Sequence, residues 1–105
     1  RGKRRVRQIL KVSTDTSIEK ISECVKRIKA VLENHPNVHS EGILVNFDNF
    51  GDYALEIQVC YFTKTAVLKD YLNIKEKINF EIMKILNELG IRMALHPGVF
   101  YSINK

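Results

Sequence analysis

Three histidines, two cysteines and a few closely spaced carboxylates are the side chains of this 105-residue chain that could do chemistry. His35 and His39 stand four apart, a spacing that on a helix turns both imidazoles to one side and would suit a metal ion. Pro36 lies between them and denies the helix, and no cysteine or carboxylate pair completes a ligand set. His96 is far off in sequence. Solvated loop histidines are the plainer reading. Cys24 and Cys60 match neither a metal-ligand spacing nor a C-x-x-C redox motif. Asp48 and Asp52 flank a turn, where carboxylates commonly accept from backbone N–H groups. No G-x-S-x-G occurs, nor a pairing of His with Cys or Ser that the element order would bring together. The five glycines, at 2, 42, 51, 90 and 98, are too scattered to cradle a phosphate. These residues predict no catalytic, cofactor-binding or metal-binding site.

Charge offers a second kind of chemistry. The formal net charge is +5, yet Arg1, Lys3, Arg4, Arg5, Arg7 and Lys11 place six cations and no acid in the first eleven residues. The other ninety-four hold 11 basic and 12 acidic groups, so a nearly neutral body follows a basic leader. Such a leader can attract nucleic acid or anionic headgroups. The plainer reading is a solvated linker or the entrance to a strand.

The elements that would position these residues follow from periodicity. Val6, Leu10 and Val12 alternate with Arg5, Arg7 and Lys11, a half-buried strand with Gln8 its one polar inward residue. Residues 13–17 supply N-cap oxygens, and a helix runs from Ile18 to about Glu33 on the stripe Ile18, Ile21, Val25, Ile28 and Leu32. Cys24 and Val31 fall at its margins. Ile43, Val45 and Phe47 mark a second strand, and Leu55, Ile57, Val59 and Tyr61 a third. A hairpin loop over residues 48–52 joins them, with Gly51 for a positive φ. Cys60 then points to the polar face with Glu56 and Gln58, on the other side of the sheet from Cys24. That placement argues against a disulfide, and a reducing compartment fits. A second helix spans about Ala66 to Leu89 on Ile74, Ile78, Ile82, Ile85 and Leu89, closed by Gly90. Ile91, Met93 and Leu95 alternate, then Val99, Tyr101 and Ile103.

The order β-α-β-β-α-β is the split βαβ, an α+β ferredoxin-like sandwich with two helices on one face of an antiparallel sheet. The expected core is Ile21, Val25, Ile28, Leu55, Ile57, Val59, Ile78, Ile82 and Leu89. One domain covers residues 1–105, with 1–5 a basic linker. No apolar run approaches the roughly 20 residues of a membrane span. The chain starts at Arg1 rather than Met, which points to a piece of a longer protein. An RNA-binding version of this topology stacks bases on aromatics of its two central strands. The outward positions here are Arg5, Arg7, Ile9 and Lys11, then Glu56, Gln58 and Cys60, with Phe62 alone at the end, so no specific nucleic acid is expected.

Two segments are more than generic. Residues 47–63, Phe47-Asp48-Asn49-Phe50-Gly51-Asp52-Tyr53-Ala54-Leu55-Glu56-Ile57-Gln58-Val59-Cys60-Tyr61-Phe62-Thr63, resemble the hairpin "F…FGDSSLxIxVxYF" of the small-conductance mechanosensitive channel (MscS-like) family. Residues 71–83 resemble the "IKExINxxIMxI" helix that follows it there. The first half is similar too, in Thr14-Asp15-Thr16, Ile18-Glu19-Lys20-Ile21 and Glu33-Asn34-His35-Pro36. The part resembled is the family's cytoplasmic C-terminal α/β domain, over essentially the whole chain from about Val6 to Tyr101. A departure comes near the end, where the family's "FAFPSQTLYL" meets Met93-Ala94-Leu95-His96-Pro97-Gly98-Val99-Phe100-Tyr101, with the proline one place later.

The resemblance implies a vestibule and assembly domain, without enzymatic activity, of a channel that releases ions and small solutes under membrane tension. It implies seven subunits, a membrane reached through helices outside this chain, a place on the cytoplasmic side, and no cofactor or small-molecule substrate. Pro97, Val99, Phe100 and Tyr101 become a possible subunit interface. The alternative is a free-standing ferredoxin-like regulatory or nucleic-acid-binding domain.

Overall fold

The computed structural model describes residues 2–95. The elements are β1 (Arg4–Val12), α1 (Ile18–Glu33), β2 (Leu44–Phe50), β3 (Leu55–Thr63) and α2 (Leu68–Leu89). The sheet order is β1-β3-β2, with β3 antiparallel to both neighbours. β1 and β2 are thus parallel, joined by the α1 crossover, with β3 inserted between them as a split βαβ requires. Two helices on one face of an antiparallel sheet make this an α+β fold. The expected outer strand is represented by one bridge, Val12 to Met93, on the far edge of β1. The Ser13 N–H donates to Arg92 O at 2.8 Å and the Ala94 N–H to Lys11 O at 2.9 Å. The expected second half of that strand, Val99 to Ile103, lies outside the described residues.

Register makes the core. Val6, Leu10 and Val12 sit opposite Tyr61, Ile57 and Leu55, and Val45 opposite Val59, so all face the helices together. Onto them α1 presses Ile21, Cys24, Ile28 and Leu32, and α2 presses Ile74, Ile78, Ile82, Ile85 and Leu86. Six of the nine expected core residues are buried, while Val25, Leu55 and Leu89 are half-buried at its border. Cys24, expected at the margin of α1, is fully buried, because α2 covers that side of the helix as well as the sheet.

Local signals close the elements. The Ser17 hydroxyl accepts from the Lys20 N–H at 3.2 Å, capping α1. The Asn34 side chain donates to Ala30 O at its other end. Gly90 ends α2 at φ +69°, a left-handed conformation that glycine adopts without a Cβ penalty.

Two details differ from expectation in the hairpin. β2 continues to Phe50, so the connection is residues 51–54 rather than 48–52. Gly51 does not take a positive φ. Its value is space, since a Cβ there would come within 2.6 Å of Glu56 Oε2 and 3.1 Å of the Ala54 carbonyl. Likewise α2 begins at Leu68, two residues after the expected Ala66.

Candidate functional site

The hairpin builds the most distinctive surface. Phe47 pairs with Ile57 and Phe50 with Leu55, and the register slips by one residue between Phe47 and Asn49. Strand alternation would send residues three apart to opposite faces. The extra residue, Asp48, cancels that and brings both rings to the helix side. They meet edge to face, 5.1 Å between centroids. Ile18, Ile21, Ser22 and Val25 of α1 stand across from them, enclosing an open apolar groove of about 660 Å³. Its mouth is exposed: Ile18 is 83% and Phe50 77% accessible. A second apolar stripe runs along the outer side of α2 through Leu68, Leu72, Phe80 and Met83, all exposed.

The opposite face of the sheet is polar. Arg5, Arg7, Ile9 and Lys11 of β1 lie beside Phe62, Cys60, Gln58 and Glu56 of β3. Cys60 faces this side as expected, yet it is buried, flanked across the sheet by Arg7 and Leu44. Both cysteines are free thiols. Burial raises the Cys24 pKa to about 11, so it is an unreactive core thiol.

Three cations of the basic leader, Lys3, Arg4 and Lys11, are engaged with the body. β1 begins at Arg4, so Arg4 and Arg5 are strand residues. The Arg4 Nε donates to Ala66 O at 2.9 Å while its guanidinium sits 5.3 Å from the Tyr71 ring centre. The Lys3 ammonium lies over Phe62 at 4.7 Å, and the Lys11 ammonium over Tyr53 at 5.6 Å.

Neither described histidine, His35 or His39, hydrogen-bonds a carboxylate or a thiol, although Glu81 stands near enough to His35 to act on its charge. His35 Nδ1 accepts from the Asn37 N–H at 3.1 Å in the turn after α1, and the His39 N–H donates to Phe62 O. Desolvation and the nearby Lys77 cation hold the His35 pKa below its ordinary value. Among the described residues no group of three or more His, Cys, Asp or Glu is placed to hold a metal ion. Asp48 and Asp52 are exposed, and neither enters an ion pair among the described residues. Pro97, Val99, Phe100 and Tyr101, like His96, lie outside the described residues. Sequence reasoning missed the hairpin groove, although an aromatic pair three apart at the end of a strand, with Asp-Asn between, is the signal of a bulge. No described helix is long and apolar enough to cross a membrane.

Comparison with known proteins places this geometry. Residues 6–93 match the family model for the mechanosensitive ion channel MscS, C-terminal. An uncharacterized MscS family protein, YhdY of Bacillus subtilis, is 36% identical over 103 residues, covering 98% of this chain and 28% of its own length. The large-conductance mechanosensitive channel MscMJLR of Methanocaldococcus jannaschii is 33% identical over 104 residues, covering 96% of this chain and 29% of its own. The chain thus spans less than a third of the length of these relatives. In fold it resembles Arabidopsis thaliana MSL1, solved by cryo-EM, with a TM-score of 0.79 at 14% identity over 90% of this chain and 34% of that one. Helicobacter pylori MscS in its closed state gives 0.69 at 17% identity over 90% of this chain and 36% of that one. With the family model running from the first strand through the bridge at Met93, this chain belongs to the MscS family of mechanosensitive ion channels, in the part that forms their C-terminal domain.

Proposed function

We propose that this chain is the cytoplasmic C-terminal domain of a mechanosensitive channel that passes ions and small solutes when the membrane is stretched. Its part is architectural. Copies of it, seven by the family resemblance, enclose a vestibule beneath the pore, and segments of the protein outside this chain cross the bilayer and sense tension. It performs no enzymatic reaction and needs no cofactor. Residues 97–101 supply a further contact between subunits.

The observation that carries this reading is the family match over residues 6–93, which runs through both helices and every described strand. A sandwich with a polar outer sheet face, and no clustered catalytic groups among the described residues, suits a cage wall. The test is electrical. The protein that contains this chain, expressed in cells lacking other channels of this kind, gives stretch-activated currents in excised patches and survival of osmotic downshock. Absence of both at normal membrane expression refutes the proposal. Salt-sensitive nucleic-acid binding that depends on Arg5 and Arg7 would instead favour the free-standing alternative.

A further inference from the structure

The two exposed apolar surfaces lie at opposite ends of the sheet. Ile18, Phe47 and Phe50 gather where β1 ends and β3 begins, whereas Val67, Leu68 and Leu72 follow directly from the other end of β3. Nine residues of strand separate them, about 30 Å. Neither surface is covered by another element of the described chain. Both are larger than the scattered single apolar residues normal on a monomer.

Their charges are opposite. The segments bearing the groove mouth contribute Asp15, Glu19, Asp48 and Asp52. Of the cations nearby, Arg92 is held on Asp15 at 2.6 Å, Lys11 lies over Tyr53, and the Lys20 ammonium reaches toward Gly90. Glu19, Asp48 and Asp52 are in no ion pair among the described residues. Around the start of α2 the balance reverses, with Lys64, Lys69 and Lys75 against Asp70 and Glu76. The Arg4 guanidinium adds its charge where it bonds Ala66. An acid-rimmed apolar groove at one end and a base-rimmed apolar shoulder at the other cannot satisfy each other within one copy. They can between two.

We propose that copies of this chain associate head to tail, the groove between α1 and the β2–β3 hairpin of one receiving the Val67–Leu68–Leu72 shoulder of the next. The contact is heterologous, using different surfaces on its two sides, so it repeats from copy to copy and closes as a ring when the rotation allows. Apolar burial supplies its strength, and the charges steer and orient the approach. The inference rests on the channel reading above for the presence of several copies, and it names the surfaces through which they meet.

The test is cysteine cross-linking in the intact protein, with Phe50→Cys and Leu72→Cys. Both positions are exposed, so neither substitution disturbs the core, and the two native thiols are buried. The double variant treated with a short bismaleimide is expected to give a ladder of covalent multimers. Either single variant gives monomers, and co-expressed single variants give dimers alone. Asp48→Lys with Asp52→Lys should reduce the ladder sharply, and adding Lys69→Glu should restore part of it. Dimers from a single variant would mean a two-fold contact and overturn the proposal. No cross-link in protein that still sediments as an oligomer would overturn the proposal and leave the channel reading standing. Protein that is monomeric in the membrane would overturn both.

Discussion

At the scale of single residues, the fold depends on a few side chains in the middle of β3. Ile57 is fully buried, paired with Leu10 of β1 and Phe47 of β2 in the core cluster to which both helices contribute. An Ile57→Asp change would put an unpaired carboxylate there, which costs several kcal/mol. A urea midpoint equal to that of the parent chain would show that Ile57 does not face the core. Tyr61, four residues along the strand, presents the opposite case. Its hydroxyl is buried with no hydrogen-bond partner among the described residues, and burial pushes its pKa well above the ordinary phenol value. A buried unsatisfied hydroxyl costs about 1–3 kcal/mol, so Tyr61→Phe should leave the chain as stable or raise its stability by about 1 kcal/mol. A drop in thermal midpoint would reveal a partner for the hydroxyl.

At the scale of elements, termini are set by short-range chemistry and surfaces by pairing. Gly90 closes α2 at φ +69°, and its Cβ position is open enough that the nearest contact, Lys20 Nζ, lies 3.4 Å away. The penalty of Gly90→Ala is therefore backbone strain, about 1–2 kcal/mol. Gly90→Asn should cost less, because asparagine tolerates the left-handed region. Equal unfolding midpoints for the alanine variant and the parent would refute this account of the α2 terminus. The bulge at Asp48 acts differently. By reversing the alternation for one step it turns β2 from a plain edge strand into one wall of a groove, and a bulge also hinders unwanted pairing along an exposed edge.

At the scale of the whole molecule, stability should depend on pH through His35 in the mildly acid range. Its Nδ1 is an acceptor in the folded turn, and its folded pKa lies below the ordinary imidazole value of 6.5. Between those two values the unfolded chain binds more protons than the folded one. Stability is then complete above pH 6.5 and falls as the pH drops through the window down to the folded pKa. The loss is small, because the ring is partly solvated. Denaturation at pH 7.5 and 5.5 should show a lower midpoint at the acid value, and His35→Gln should flatten the difference. Asp15, whose pKa is lowered first by the Ser13 hydroxyl bond and further by Arg92, loses its favourable contribution only below the carboxylate range. Its response is separate from that of His35.

Much of this was legible in the amino-acid order itself. Alternation located the three described strands, the 3.6-residue stripe located both helices, residues 13–17 and Gly90 marked two of their ends, and polar matches over residues 47–63 and 71–83 pointed to the family. Those signals are local, each depending on neighbours within a turn or a pair of residues. The tertiary structure decided what depends on distant partners. It buried Cys24 by laying α2 over α1 and enclosed Cys60 on the outer sheet face. It drew three leader cations onto Phe62, Tyr71 and Tyr53, and placed Phe47 and Phe50 side by side through one unpaired residue. Register and helix packing are set by the sum of many long-range contacts, and no window of consecutive residues contains that sum.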